Sequence, residues 1–372
     1  MASLKQLEWV NIAKGIAIIA VVLSHTVHGL QDLTLFPIKS LAYEIWFVSV
    51  FFVLGGFFIK EEKLCKPLEF TKGKMKSLYS LLLYFYIPAV LLHNLFLQIG
   101  FYDMTTSYGG KYMSYWEPIT FIKEVVLSCC FMGREPILGA MWFVYVLLLA
   151  LIGFSFSSFI IKKIFKKHYE IARATILLFF CIMSCSATNI LQFTIPRFNN
   201  VLTAMWLIYC GYILNQYIKV KYNNKWIVIG SGVLVYHIAS IQGVIALNGN
   251  IYPDVLSLTM SSIASLYIIC YFAKIIENNI IGKCLSCCGK ESFYIMALHF
   301  MGFKVMSLIL NLFGFNMNLS SLMAPTDKEP MLVLFYVLMG IIFPLAFMAF
   351  FRKIKNVIVN NHINHTTVRK SG

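Results

Sequence analysis

An all-α polytopic integral membrane protein, with about ten transmembrane helices and both termini cytoplasmic, is predicted by three observations on this sequence. The first is composition: 59% of the 372 residues are hydrophobic and 13% charged, against about 45–50% and about 25% in soluble proteins. A mean hydropathy of +0.76 with 32 Phe and 20 Tyr exceeds what one soluble core of this length can hide, so the surplus apolar surface needs lipid. The second is a series of apolar runs of about 18 to 24 residues, each long enough to cross about 30 Å of hydrocarbon. The third is charge: 23 of the 31 Lys and Arg fall on alternate inter-run segments, and 6 on the intervening ones. That asymmetry places the richer segments, including both termini, in the cytoplasm. The net charge of +15 is dispersed among short loops rather than gathered on one face, which argues against nucleic acid as a partner.

The runs start near Trp9, Ala42, Ser77, Leu138, Ala174, Val201, Trp226, Val255, Ser292 and Met331. Met1 to Glu8 is polar, and the run that follows outlasts a signal-peptide core without a small-residue cleavage pattern, so it is expected to stay as a helix. The single long loop, 98–137, is expected outside and is rich in Tyr, Trp and Gly; it is either a surface cap or a lid whose aromatic rings stack on a sugar. A basic tail, 352–372, closes the chain, and residues 1–372 read as one membrane-embedded domain. Ten cysteines are too few for a disulfide scaffold, and Cys181, Cys185, Cys210 and Cys270 lie inside apolar runs, where a thiol behaves as a small hydrophobe. Cys284, Cys287 and Cys288 have part of a metal-binding spacing but lack a second ligand pair, so no metal is expected.

Ionisable side chains at bilayer depth cost roughly 2.5–3.5 kcal/mol each and are therefore functional candidates. The first run carries Asn11, Lys14, His25 and His28. Lys14 and His25 are eleven residues apart, three helical turns plus about 20°, which puts them on one face about 16.5 Å apart along the axis, with Asn11 on the same stripe. Such a ridge suits an elongated anionic donor; equally, Lys14 can snorkel to headgroups and His25 can bond a neighbouring helix. Glu44 either orients His25 or is a solvated interfacial acid, and His28 is a surface residue or a substrate contact. Lys304 is expected to pair with an acid, and His237 to be a hydrogen-bonded packing residue. Arg134 and Glu135 are candidates for holding a polyanionic or sugar acceptor.

The run from Asn11 to His25, with Lys14, ten intervening residues and then His25, resembles the first helix of the integral-membrane acyltransferase-3 family, whose pattern is a basic residue, usually Arg, followed by His. It is most similar to the fucose 4-O-acetylase-like branch, in which Lys followed by Gly is common. Lys14 stands where Arg is usual and keeps the charge but not the bidentate fork; Asn11 stands where Asp is usual. Phe51-Phe52-Val53-Leu54-Gly55-Gly56-Phe57-Phe58 resembles the second-helix pattern, with Gly55 for the usual Ser. The basic loop Lys72-Gly73-Lys74-Met75-Lys76, Trp142-Phe143, and Gly289-Lys290-Glu291-Ser292 leading to Leu298-His299 resemble later elements in the same order.

The resemblance implies acyl transfer, commonly of acetyl from acetyl-CoA, to a hydroxyl of a cell-envelope carbohydrate, in the inner membrane and with no resident cofactor. On that basis His25 is assigned as general base, with an acyl-imidazole relay as the less favoured variant, and Lys14 and Asn11 to the donor. Trp142, Ser292, His299, Glu44, His28 and Arg134 are supporting candidates. Lys72, Lys74 and Lys76 either steer the anionic donor or are ordinary cytoplasmic loop residues. A secondary transporter or flippase of a small or lipid-linked anion is the alternative from another functional class.

Overall fold

The computed structural model describes residues 8–26, 46–105, 107–108, 111–193, 195, 197–241, 245–326 and 330–368. Glu44 and His28 lie outside the described residues. With no water in a bilayer core to take up backbone hydrogen bonds, apolar runs must satisfy them internally, and helices account for 79% of what is described. In chain order they are α1 (Glu8–Ser24), α2 (Val48–Phe57), α3 (Glu61–Leu64), α4 (Pro67–Lys74), α5 (Ser80–Leu91), α6 (His93–Gln98), α7 (Pro118–Cys129) and α8 (Trp142–Phe165). They continue as α9 (Tyr169–Asn189), α10 (Phe198–Ile213), α11 (Lys225–Ile241), α12 (Val255–Ile275), α13 (Ile280–Lys290), α14 (Ser292–Leu312) and α15 (Val333–Val368). Among the described residues, five helical stretches are long and apolar enough to cross a membrane: Pro136–Asn189, Phe198–Ile218, Val255–Ile275, Ser292–Leu312 and Val333–Lys355; the first contains both α8 and α9.

Two departures from the sequence expectation matter for the site. The run near Ser77 is delivered in pieces, a π-helical turn at Met75–Tyr79, then α5 with Pro88 inside it, then α6. The segment expected as a loop before Ser292 contains α13, and Cys284, Cys287 and Cys288 sit on that helix. Lipid offers no hydrophobic drive between helices, so close packing depends on small residues. A Cβ on Gly15 would lie 2.0 Å from the Leu285 carbonyl oxygen, and one on Gly289 would lie 1.7 Å from that of Asn11. The same device joins α2 to α10: Gly56 faces the Ile208 carbonyl and Gly211 that of Val53, each leaving 1.8 Å for a Cβ.

Where α3, α8, α9 and α10 meet, Glu61 accepts from Lys162 Nζ at 2.9 Å, from both Arg173 Nη atoms at 3.1 Å and from the Tyr212 hydroxyl at 2.7 Å. Arg173, counted from sequence among loop cations, is completely buried and also pairs with Glu170 at 3.0 Å. Burial pushes the Glu61 carboxyl up, but the donors from Arg173, Lys162 and Tyr212 outweigh it and hold the group below the usual carboxylate range. A carboxyl depressed in the fold contributes stability that is complete above its unfolded value, about 4.3, and is lost as pH falls through the folded value. Glu61→Gln should therefore lower the thermal midpoint of detergent-solubilised protein by a few degrees at pH 7. The gap from wild type should close as the pH drops below about 4.3; a gap constant down to pH 3 contradicts the assignment.

Candidate active site

His25 follows the last turn of α1, its backbone N–H bonded to the Val22 carbonyl at 3.2 Å. Its side-chain Nδ1 lies 2.7 Å from the Val21 carbonyl oxygen. A carbonyl can only accept, so in the neutral ring Nδ1 carries the hydrogen and Nε2 the lone pair, the tautomer a general base requires. Beside it, His299 is fully buried on α14; its Nδ1 is 2.9 Å from the Ile295 carbonyl and 3.0 Å from that of Met296, and its Nε2 has no hydrogen-bond partner among the described residues. The two imidazole centroids are 5.1 Å apart, and the Phe300 ring meets that of His25 edge-on at 4.9 Å. The Ala324 N–H donates to the His25 carbonyl at 3.1 Å, tying the segment after α14 onto the end of α1.

His25 opens into a cavity of about 560 Å³ whose walls include Phe51 of α2, Trp142 and Phe143 of α8, and Met296 of α14, together with Arg134 and Arg197. One step along α1, a second cavity of about 280 Å³ is lined by Lys14 and Ser292. The two share Phe51, Phe143 and Met296, so these three side chains mark the partition zone where the Lys14 chamber adjoins the His25 chamber. A third cavity of about 700 Å³, bordered by Lys63, Lys66 and Lys74 with Glu62 and Glu69, shares Gly55 and Phe58 with the Lys14 chamber. Three chambers therefore stand in series, with the ammonium in the middle one and the imidazole in the last. Lys14 is half-buried and makes no hydrogen bond or ion pair among the described residues.

A family model described as an acyltransferase domain, that of the acyltransferase-3 family, matches residues 7–362. The chain belongs to the acyltransferase-3 family. No curated protein and no solved structure matches it. It is thus a membrane acyltransferase, and the chambers are where its chemistry has to be sought.

Within this acyltransferase-3 chain, the remaining sequence candidates divide. Trp142 and Arg134 line the His25 chamber, Ser292 lines the Lys14 chamber, and His299 touches His25. Asn11 departs from the expected shared stripe: it is 2% exposed, its backbone carbonyl packs on Gly289, and it is not among the residues lining either chamber. Glu135 turns away from Arg134 and accepts from His93 Nδ1 at 3.1 Å and from the Tyr102 hydroxyl. Lys304 finds no acid among the described residues; its ammonium donates to the carbonyls of Phe101, Leu319 and Ser321 at 2.9, 2.7 and 2.6 Å. His237 is exposed on α11 rather than packed. Of the basic-loop lysines, Lys74 borders the 700 Å³ cavity, while Lys72 and Lys76 are exposed outside its lining.

The long loop is neither bare cap nor unstructured. It holds α7 and a two-residue antiparallel pairing of Ser107 with Tyr112 and of Tyr108 with Lys111. Tyr108 reaches the His25 chamber. Arg197 was visible in the sequence only as one cation in a short connection between runs. The partition residues Phe51, Phe143 and Met296 sat inside the family-like elements but carried no chemical signal there.

Proposed function

We propose that the protein is an O-acyltransferase of the inner membrane that moves acetyl from cytoplasmic acetyl-CoA to a hydroxyl of a cell-envelope carbohydrate. The observation that carries this reading is the series of three chambers, with a Lys14 ammonium that is unpaired among the described residues in the second and the His25 base in the third. An ammonium held at membrane depth without a counter-ion is costly unless an anion visits it, and coenzyme A carries phosphates. With the Lys14 end toward the cytoplasm, as the charge pattern predicts, the lysine-bordered 700 Å³ cavity receives the nucleotide, and the thioester arm extends past Lys14 and Ser292 toward the partition.

At the partition the chemistry is a direct transfer. His25 Nε2 takes the proton of the acceptor hydroxyl as its oxygen attacks the thioester carbonyl, and the tetrahedral oxyanion then collapses, breaking the carbon–sulfur bond. The coenzyme A thiolate leaves and is protonated by the His25 imidazolium, which restores the starting tautomer. No resident cofactor is called for. In purified protein given labelled acetyl-CoA, Lys14→Ala should raise the donor KM about tenfold with a smaller change in kcat, and Lys14→Arg should keep the wild-type value. A donor KM unmoved by Lys14→Ala removes the phosphate role.

A further inference from the structure

The His25 chamber has a charge that a neutral sugar would not need. Arg134 and Arg197 both line it, and no Asp or Glu does among the described residues. The acid adjacent in sequence, Glu135, is 1% exposed and its carboxylate is taken up by His93 and Tyr102, so it does not pair with Arg134. The Arg134 side chain is exposed and makes no hydrogen bond or ion pair among the described residues.

Its backbone, by contrast, is held on both sides. Arg197 donates from Nη1 to the Phe131 carbonyl and from Nη2 to the Gly133 carbonyl at 2.5 Å, while its guanidinium stacks on the Tyr145 ring at 4.6 Å. Gly133 is seated so tightly that a Cβ there would come within 2.6 Å of the Tyr86 ring. On the far side, the Ile137 N–H donates to the Tyr102 hydroxyl at 3.2 Å. Among the described residues, Arg134 is therefore an unpaired guanidinium on a fixed mount. It also borders an adjoining cavity of about 350 Å³, shared through Tyr108 and Pro136, whose lining includes Trp116 and Tyr115 alongside Lys123, Glu117 and Glu124.

We infer that the acyl acceptor is an anionic sugar, whose carboxylate or phosphate is bound by Arg134 while its hydroxyl faces His25. This rests on the reading of the His25 chamber as the acceptor site and narrows it to a charge class. A guanidinium pairs with either oxyanion through two parallel hydrogen bonds. Arg197 is a positioning residue: two of its five N–H donors are committed to carbonyls, and it keeps the Gly133–Arg134 segment in place.

The test is binding without donor, read by quenching of tryptophan emission, since Trp142 and Trp116 line the two cavities. Wild-type protein should bind methyl glucuronoside at least tenfold more tightly than methyl glucoside. Glucose 1-phosphate in a parallel arm tells a carboxylate preference from a phosphate one. Arg134→Gln should erase the discrimination by weakening the charged probes alone, and Arg134→Lys should restore part of it. Arg197→Lys should weaken the charged probes while leaving methyl glucoside unchanged, a selectivity that loss of folding does not produce. Equal binding of charged and neutral probes by the wild type, absence of binding to all of them included, overturns the proposal, as does discrimination that survives in Arg134→Gln. Because acetyl-CoA is absent, these outcomes are independent of whether transfer depends on His25.

Discussion

Replacing His25 by alanine should lower the kcat for acetyl transfer by about 10³-fold or more, within the range of a positioned general base. The donor KM should stay near its wild-type value. The size of the effect follows from the arrangement of the two imidazoles. His25 alone lines the chamber, with Nε2 fixed as the proton acceptor by the 2.7 Å contact of Nδ1 with the Val21 carbonyl. His299 cannot take over, because it is fully buried behind His25 with its Nδ1 already held by two α14 carbonyls. Helix content by circular dichroism and elution in detergent should match wild type, since His25 is only half-buried at the end of α1. An alanine variant that transfers acetyl at the wild-type rate would take His25 out of the chemistry and leave the chambers without an assigned base.

The second large effect is structural. Gly289→Leu should abolish recovery of a monodisperse protein, and Gly289→Ala should already cost about 3 kcal/mol, the upper part of the usual overpacking range. The atom that a Cβ meets, 1.7 Å away, is a backbone oxygen of α1 and cannot rotate aside like a side chain; the Gly15 nitrogen is 2.9 Å off. Relief requires α1 and α13 to separate. Since α13 leads directly into α14, that separation also shifts Met296 and His299 against His25. Size-exclusion elution and thermal midpoint in detergent read the outcome; a Gly289→Leu protein that runs and melts like wild type would show that the helices can part freely.

These predictions draw on different levels of legibility. The apolar length of α1, with a cation and an imidazole eleven residues apart, was readable because helical geometry is local. The partners of buried charges were not. Arg173 looked like one more loop cation, and its carboxylate lies 112 residues earlier in the chain. Lys304 called for an acid, yet three carbonyls from two separate segments satisfy its ammonium. The helix α13 escaped notice because Ile280–Lys290 is short, carries two lysines and contains Gly282 and Gly289. Those glycines weaken an isolated helix but permit the close approach to α1 that stabilises it in the fold. Asn11 and Lys14 share a turn in sequence, but the docking of α13 separates them, claiming the first for packing and leaving the second facing open space.

The partition of Phe51, Phe143 and Met296 has a physiological consequence of its own. A hole wetted from one face of a bilayer to the other would short-circuit any ion gradient the membrane maintains. Two aromatic rings, 5.6 Å apart between centroids, and a thioether at the junction offer water no hydrogen bonds, and apolar necks of this kind tend to empty. On the proposed function, the junction would serve as an airlock, letting a small acyl fragment be handed across while protons and salt stay on their own sides.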